Sequence, residues 1–323
     1  MGGILSISEH KIKEINNSTG FSEDLIEKVI RLEELLQDIF RHPYLSKRLL
    51  LKGGTALNFC YFDRPRLSVD IDFNYIGSAR VKVMQEERPK VDEAITKIVE
   101  DKGYKILREP GEEHAGGKWR LAYKNLWSNN KNLELDINYL YRVPIGLSQR
   151  VNFETFSNAK RFEIFVVSKE ELFAGKTIAA LDRVAPRDIY DLANIVDYTG
   201  NYDRRLFRKI VILLGASQRE DFREIKADKL YKVSDKDIEN SLYPLLPQDK
   251  RINKKVLFDK IVPFVIGILK FTSLEKEFLD RYLDYAEYKP ELLFNEYPDL
   301  ISQIEEHPVL LWKRLNTEKY LKR

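Results

Sequence analysis

The sequence of 323 residues lacks several features on which common protein classes depend. Its single cysteine, Cys60, excludes a disulfide framework and a zinc site built from cysteines. The four histidines are scattered, which argues against a histidine-rich metal site. The longest apolar run, residues 261–269, contains Pro263 and is far shorter than the roughly 20 residues of a membrane span, so it predicts a buried, kinked helix. With no signal-peptide pattern either, we expect a soluble, cytoplasmic protein with no membrane partner.

The sequence also lacks a strong excess of either charge. Lysine and arginine number 54 and aspartate and glutamate number 51, which leaves a net charge of +3. A basic field over the whole protein is therefore absent, and any nucleic-acid surface must arise from local clustering. Hydrophobic residues make up 43% of the chain, which is enough for a packed core and excludes wholesale disorder.

The pattern of apolar residues predicts two parts of different texture. The first part mixes short strands with helices, whereas long segments of helical periodicity dominate from Ser168 onward. An irregular, polar stretch at residues 144–160 separates them. We therefore predict an α/β domain over residues 1–160, built as a mixed sheet flanked by helices, and a mainly helical domain over residues 161–323.

The individual elements follow from the same periodicity. A stripe of leucine, valine and isoleucine predicts the first helix, which Ser22 would cap. Helices are predicted at residues 22–40, 81–102, 169–183, 187–198 and 203–214, and strands at residues 49–51, 69–75, 104–107, 118–123, 133–140 and 161–167.

The most informative segment is residues 66–73, which read R-L-S-V-D-I-D-F. Alternate side chains of a strand share a face, so Asp70 and Asp72 would point the same way, while the apolar residues between them enter the core. Two neighbouring carboxylates repel each other unless a cation lies between them, and divalent magnesium favours such oxygen ligands. A solvated strand end remains the alternative.

Two further segments could complete a site around these aspartates. Gly53 and Gly54 lie between a predicted strand and a helix, where backbone N–H groups can approach a phosphate; an ordinary tight turn is the alternative. On the strand at residues 133–140, Asp136 lies on the face opposite the apolar residues. A third carboxylate on a neighbouring strand is what a two-metal site for phosphoryl or nucleotidyl transfer needs.

The order of these motifs resembles the DNA polymerase β-like nucleotidyltransferase superfamily. More narrowly, L-K-G-G-T-A-L at residues 51–57 followed by S-V-D-I-D-F at residues 68–73 is similar to the AbiEii/AbiGii abortive-infection toxins, the toxins of type IV toxin–antitoxin systems. Members of that family carry a lysine on a later helix and then an arginine–aspartate helix. These read G-K-T-I-A-A-L at residues 175–181 and P-R-D-I-Y-D-L at residues 186–192 here.

The resemblance implies a metal site and a nucleotide site. Asp70 and Asp72 would bind Mg²⁺ or Mn²⁺, with Asp136 as the third carboxylate. The nucleoside triphosphate would be held by the glycine turn, that is by Gly53, Gly54 and Thr55. Ser68 lies close to the metal in some members, and its alternative role is that of a hydrogen-bonding turn residue.

The resemblance also implies that the helical domain contributes Lys176 and the helix of Arg187, Asp188 and Asp191 to the cleft. Lys176 would neutralise phosphate charge, and Asp188 or Asp191 would orient it or hold the helices together. The spacing leaves other roles open, because Arg187 and Asp191 could form a plain helix pair and Asp188 could cap its helix.

Basic residues give limited independent support for nucleotide or RNA binding. Lys118 and Arg120 share one face of a predicted strand, which would suit a triphosphate, although a charged outer strand face is the alternative. Clusters at residues 204–209 and 313–323, the second with Trp312 and Tyr320, could contact RNA phosphates and bases. Solvated helix surfaces explain these clusters equally well.

Together these features predict a magnesium-dependent nucleotidyltransferase that transfers NMP from an NTP to a hydroxyl group and releases pyrophosphate. The resemblance points to RNA as the acceptor, in particular the 3′ end of tRNA, and to a cognate antitoxin that forms no stable complex with the toxin. The alternatives are a small-molecule nucleotidyltransferase and a non-catalytic nucleotide- or RNA-binding protein on the same fold.

Overall fold

The computed structural model describes residues 8–111, 115–153, 155–156 and 162–322. Within these residues, strands and helices alternate in the first part of the chain and helices follow. The strands are β1 (Leu49–Lys52), β2 (Asp70–Tyr75), β3 (Lys105–Arg108), β4 (Gly116–Lys124), β5 (Asn130–Asn138), β6 (Gln149–Phe153) and β7 (Phe162–Val166). The helices are α1 (Glu9–Thr19), α2 (Glu23–Arg41), α3 (Gly53–Ala56), α4 (Val81–Asp101), α5 (Lys169–Arg183), α6 (Pro186–Val196), α7 (Arg204–Ala216), α8 (Asp235–Ser241), α9 (Lys254–Leu269), α10 (Ser273–Asp284), α11 (Glu291–Phe294), α12 (Pro298–Glu305) and α13 (Pro308–Leu321).

The strands form one mixed sheet of seven strands in the order β3-β4-β5-β2-β1-β7-β6. β2 pairs in parallel with β5 and antiparallel with β1, while β4 and β5 form a long antiparallel pair. The fold class is therefore confirmed: a mixed α/β sheet with flanking helices precedes a mainly helical part.

The predicted strands and helices are found, with ends shifted by a few residues. The strand predicted over residues 161–167 is β7, although residue 161 lies outside the described residues. Two elements of the first part of the chain were not predicted, α1 and the edge strand β6. β6 lies in the stretch that the polar sequence indicated to be irregular, and it pairs along its whole length with β7.

One face of the sheet is covered by α2 and α4. Phe40 of α2 packs edge-on against Phe73 of β2, and Tyr139, which follows β5, donates a hydrogen bond to Asp92 of α4 at 3.0 Å. The apolar alternate residues of β4 and β5, including the fully buried Trp119, point to this face. The polar alternate residues therefore lie on the opposite face, where the predicted site residues are found.

The chain forms two compact units, and each of them consists of several separate segments of the sequence. The first comprises Met1–Arg142, Ser148–Val166 and Tyr243–Lys250, and the second comprises Val143–Leu147, Val167–Leu242 and Arg251–Arg323. The late segment of the first unit is fixed by backbone hydrogen bonds from Leu67 to Leu245 and from Gln248 to Gly20. The predicted division between residues 160 and 161 stays a prediction.

The second unit is built from α5 to α13, with α5 packed on both α6 and α7. A chain of edge-on aromatic contacts links Phe173, Tyr198, Tyr202 and Phe207 within it. The predicted buried helix containing Pro263 is α9. None of the described helices is both long enough and apolar enough to cross a membrane.

Candidate active site

The glycine turn follows β1 and is pressed against β2. Gly53 has a φ of +73°, a backbone conformation that favours glycine, and a Cβ at this position would overlap the Asp72 carboxylate. The buried Thr55 hydroxyl donates a hydrogen bond to the backbone oxygen of Asp70 at 2.5 Å, and Asn58 donates to the oxygen of Gly54 at 2.9 Å. The turn is therefore fixed beside the first aspartates of β2.

Arg66 and Ser68 support the second glycine of this turn. A Cβ on Gly54 would lie 2.7 Å from Ser68 Oγ and 2.8 Å from Arg66 Nη2, so only glycine leaves room for them. Arg66 is almost fully buried and donates a hydrogen bond to the backbone oxygen of Leu67 at 2.9 Å. Ser68 is buried as well, just before β2 begins.

The three predicted carboxylates lie on two adjacent parallel strands. Asp72 of β2 is paired in register with Asp136 of β5, and Asp70 is paired with Glu134. Because paired residues of neighbouring strands share a face, all four carboxylates lie on the same side of the sheet. Burial and the neighbouring Asp72 raise the pKa of Asp136 above its ordinary value. The carboxylates therefore repel one another in this arrangement.

Lysines flank the central pair of carboxylates on both sides. Lys52 of β1 pairs in register with Asp72, and Lys118 of β4 pairs with Asp136, so a row of four charged residues crosses the sheet. Both lysines act to lower the pKa of Asp136, against burial and the charge of Asp72. Lys118 also forms an ion pair with Glu134 at 2.7 Å, which lowers the pKa of that glutamate.

The donor atoms on this face suit a hard divalent cation, because carboxylate oxygens are the ligands that Mg²⁺ and Mn²⁺ prefer. The mutual repulsion of Asp72 and Asp136 is what a bound cation would relieve. Among the described residues, no group of three or more His, Cys, Asp or Glu side chains is arranged to hold a metal ion. Metal binding by Asp70, Asp72 and Asp136 stays a prediction.

The predicted residues of the later helices form a buried charge cluster in the second unit. Lys176 of α5 contacts two aspartates of α6, with Nζ 3.2 Å from Asp188 Oδ1 and 2.8 Å from Asp191 Oδ2. Both aspartates are 0% exposed, and Lys176 is 8% exposed. The half-exposed Arg183 adds an ion pair to Asp188 at 2.8 Å. The structure thus places Lys176 between both candidate aspartates.

A cleft of about 460 Å³ lies where β2 and β5 begin, against the first turns of α2. Asp70 and Glu134 line it, together with Arg120 of β4, which is paired in register with Glu134. Lys28 of α2 faces this cleft, and burial lowers its pKa, while the charges of Asp70 and Glu134 partly counter that effect. The remaining lining residues are Ser22, Asp24, Leu25, Tyr123, Asn130, Lys131 and Asn132.

Three residues of this region were not predicted from the sequence: Lys52, Glu134 and Lys28. Lys52 and Glu134 could have been predicted from the sequence, because the period-2 alternation places each of them on the polar face of its strand. Lys28 had none, since a lysine one turn into an amphipathic helix is typical of a solvated surface.

The predicted basic clusters of the helical part are largely engaged within the second unit. Arg208 forms an ion pair with Glu275 at 2.7 Å and donates hydrogen bonds to backbone oxygens. Lys209 lies 3.5 Å from Glu296, and Lys313 donates to the backbone oxygen of Gln218. Arg323, the last residue of the second cluster, lies outside the described residues. These contacts within the protein account for several of the charges in the two clusters, so RNA binding is not needed to explain them.

The fold is similar to that of MenT4, a nucleotidyltransferase toxin from Mycobacterium tuberculosis. The TM-score is 0.63 and the sequence identity 16%, over 94% of this chain and 99% of that one. At this identity the likeness shows the fold alone. The CdnC:HORMA-deltaN complex of E. coli MS115-1 aligns over 92% and 93% of the two chains with 13% identity, but its TM-score of 0.20 carries no argument. No curated protein matches the chain.

The match to a family of nucleotidyltransferases defines the class of this protein. Residues 34–263, more than half of the chain, match the family of the nucleotidyl transferase AbiEii toxin of type IV toxin–antitoxin systems. The chain belongs to this AbiEii family. The resemblance inferred from the glycine turn and the paired aspartates is thereby confirmed, and so is the enzyme class.

Proposed function

We propose that this protein is a divalent-metal-dependent toxin that transfers NMP from an NTP to a hydroxyl group of RNA, at the 3′ end of tRNA. The observation that carries the proposal is the register of Asp72 against Asp136, directly beside the fixed turn at Gly53. Family membership supports the reaction class. The choice of tRNA comes from the sequence resemblance.

In the proposed step, the acceptor oxygen forms a bond to the α-phosphorus of the NTP. The bond from that phosphorus to the oxygen shared with the β-phosphate breaks, pyrophosphate leaves, and the hydroxyl proton is released. Asp70, Asp72 and Asp136 would hold Mg²⁺, which when bound activates the hydroxyl and stabilises the charge on the transferring phosphate.

The glycine turn would bind the triphosphate. Its backbone approaches β2 without an intervening side chain, since neither Gly53 nor Gly54 has room for a Cβ. Exposed N–H groups of such turns donate hydrogen bonds to phosphate oxygens. The Thr55 hydroxyl is already engaged by the backbone of Asp70, so its contribution would be to hold the turn in place. The buried Ser68 would support the turn from the β2 side.

Lys176 would neutralise phosphate charge during the reaction. Its ammonium group is held between Asp188 and Asp191, both fully buried, which fixes its position. This arrangement supports an orienting role for both aspartates together. It also supports their role in joining α5 to α6, because the three residues connect the two helices.

As a toxin of a type IV system, the protein would have a cognate antitoxin. We propose that this antitoxin counteracts the modification without a stable complex with the toxin. Co-expression of the toxin with genes that neighbour its own would identify the antitoxin by restored growth.

A labelling experiment tests the proposed reaction. Each of the four α-labelled NTPs is incubated with total tRNA and Mg²⁺, using the wild type, Asp70→Ala and the exposed-surface control Glu93→Gln. We expect label on tRNA with the wild type and the control but not with Asp70→Ala, and none after chelation. Label on a small molecule instead of RNA would show that the acceptor is a small molecule. No label with any acceptor, from folded protein, would support a non-catalytic binding protein.

A further inference from the structure

The lining of the cleft beside Asp70 carries three cations, Lys28, Arg120 and Lys131, and three carboxylates, Asp24, Asp70 and Glu134. Lys131 is paired with Asp24 at 2.6 Å, and Glu134 is paired with Lys118 at 2.7 Å outside the lining residues. Lys28 and Arg120 form no hydrogen bond or ion pair with any residue that the structure describes. Lys28 and Arg120 therefore face the cleft without a direct ion pair, although the charges of Asp70 and Glu134 act on Lys28.

The position of the cleft separates it from the proposed triphosphate site. The glycine turn contacts β2 from the β1 side, where Thr55 is hydrogen-bonded to Asp70, whereas the cleft lies on the other side of β2 and extends over β4 and β5. A chain that lies in the cleft would thus reach the carboxylates from the side away from the turn.

The chemistry of the lining favours a nucleic-acid strand over a small neutral ligand. Burial disfavours the charged form of Lys28, so a phosphate that enters the cleft would restore part of the stabilisation that the ammonium group has lost. The Arg120 guanidinium can bind phosphate oxygens in bidentate fashion. Asn130 and Asn132 add amide groups that can donate to and accept from a 2′-hydroxyl or a base edge.

We propose that this cleft is the binding site for the acceptor strand, and that Lys28 and Arg120 contact backbone phosphates of single-stranded RNA just upstream of the reacting hydroxyl. The inference rests on the proposed function, since it names the path of that acceptor. Under this proposal Arg120 binds the acceptor, whereas the sequence suggested that Arg120 binds the triphosphate. Lys118, which is tied to Glu134, has no part in this contact.

The test measures RNA binding apart from turnover. A short fluorescein-labelled single-stranded RNA is titrated with the full chain in EDTA without NTP, over roughly 50 to 200 mM KCl. The proteins are the wild type, Lys28→Gln, Arg120→Gln, the double variant and Lys97→Gln, which removes an exposed lysine of α4. Thermal unfolding confirms that each variant is folded, and the KM for NTP is measured in the labelling assay.

We expect Lys28→Gln and Arg120→Gln each to weaken RNA binding roughly threefold, as for the loss of one exposed charge contact. The slope of log affinity against log salt should decrease in magnitude by about 0.7 for each contact removed. Lys97→Gln should bind as the wild type does, and the KM for NTP should be unchanged in all variants.

Three results would overturn the inference: RNA binding by the double variant equal to that of Lys97→Gln, no RNA binding by the wild type, or a raised KM for NTP with unchanged RNA affinity. The last result would assign the cleft to the triphosphate. Failure of the proposed function would show differently, as an absence of label transfer by the wild type, which this binding measurement does not require.

Discussion

Asp72 and Asp136 lie opposite each other in register on adjacent parallel strands, on the face of the sheet that α2 and α4 leave uncovered. Lys52 and Lys118 continue the same row on either side. Burial, and after it the charge of Asp72, raises the pKa of Asp136, so the charged pair is unfavourable without a cation. An arrangement that reduces stability in this way is typical of a functional site.

Replacing Asp136 should separate stability from activity. In Asp136→Asn one of the two facing charges is removed, so the free energy of unfolding in EDTA should be unchanged or rise by up to about 1 kcal/mol. Nucleotidyl transfer should fall at least roughly a hundredfold, because a charge that stabilises the transition state is lost. Urea denaturation and the labelling assay measure the two effects, with Glu93→Gln as the control. A destabilised Asp136→Asn protein would show that this aspartate is structural.

Gly53→Ala should damage the turn. The substitution requires an alanine at φ +73°, which costs roughly 1–2 kcal/mol, and its Cβ would displace the Asp72 carboxylate. We expect loss of nucleotidyl transfer together with that destabilisation. Gly175→Ala is the matched control: its Cβ meets nothing within 4 Å on the exposed side of α5, so it should stabilise by about 0.5–1 kcal/mol and keep activity. Equal activity of the two variants would contradict the proposed role of the glycine turn in binding the triphosphate.

Lys176→Met should destabilise the protein by roughly 3–5 kcal/mol, because it leaves Asp188 and Asp191 buried without their shared cation. Arg183→Gln, which removes a half-exposed partner of Asp188, should cost about 1 kcal/mol at most. Chemical denaturation of the variants measures both changes.

A triple variant separates the structural role of Lys176 from its role in the reaction. Adding Asp188→Asn and Asp191→Asn to Lys176→Met removes the two buried negative charges, so we expect stability to recover. Nucleotidyl transfer should remain absent if Lys176 contacts phosphate. Recovery of transfer along with stability would mean that the cluster only holds the helices together.

The stability of the first unit should depend on pH through Glu87. Arg48 donates two hydrogen bonds to this glutamate, at 2.8 and 2.9 Å, which lowers the pKa of Glu87 below its ordinary value of 4.5. Because this pKa is lower in the folded than in the unfolded state, ionised Glu87 contributes its full stabilisation at pH values above the unfolded-state pKa. The contribution is lost as the pH falls through the folded-state pKa.

Arg48→Gln should therefore destabilise by roughly 1.5–3 kcal/mol at pH 7, and the difference from the wild type should narrow below about pH 4. Arg150→Gln, which removes an exposed ion pair with Glu163, is the control and should change little at any pH. Urea unfolding at several pH values measures both. If the difference in unfolding free energy between Arg48→Gln and the wild type did not depend on pH, the ionisation of Glu87 would not be linked to folding.

Much of the fold was predictable because its signals are local. The alternation around Asp70 and Asp72 predicted β2 and the exposed face of that strand, and the long apolar stripes predicted α2 and α5. β6 was not predictable, since its polar sequence becomes a strand only by pairing with β7. α1 was missed because only two of its residues, Ile12 and Ile15, are buried, too few to form a clear stripe.

By itself, the sequence determined the residue types of the site and their order: a glycine turn, two alternating aspartates and a third carboxylate on a later strand. Tertiary structure decided which of these residues meet. The register of β2 against β5, which sets Asp72 beside Asp136 and Asp70 beside Glu134, depends on pairing between strands far apart in the chain. The cleft with Lys28 and Arg120 likewise arises only where α2 packs beside the sheet. Local patterns specify which way a side chain points, whereas long-range packing specifies what it faces.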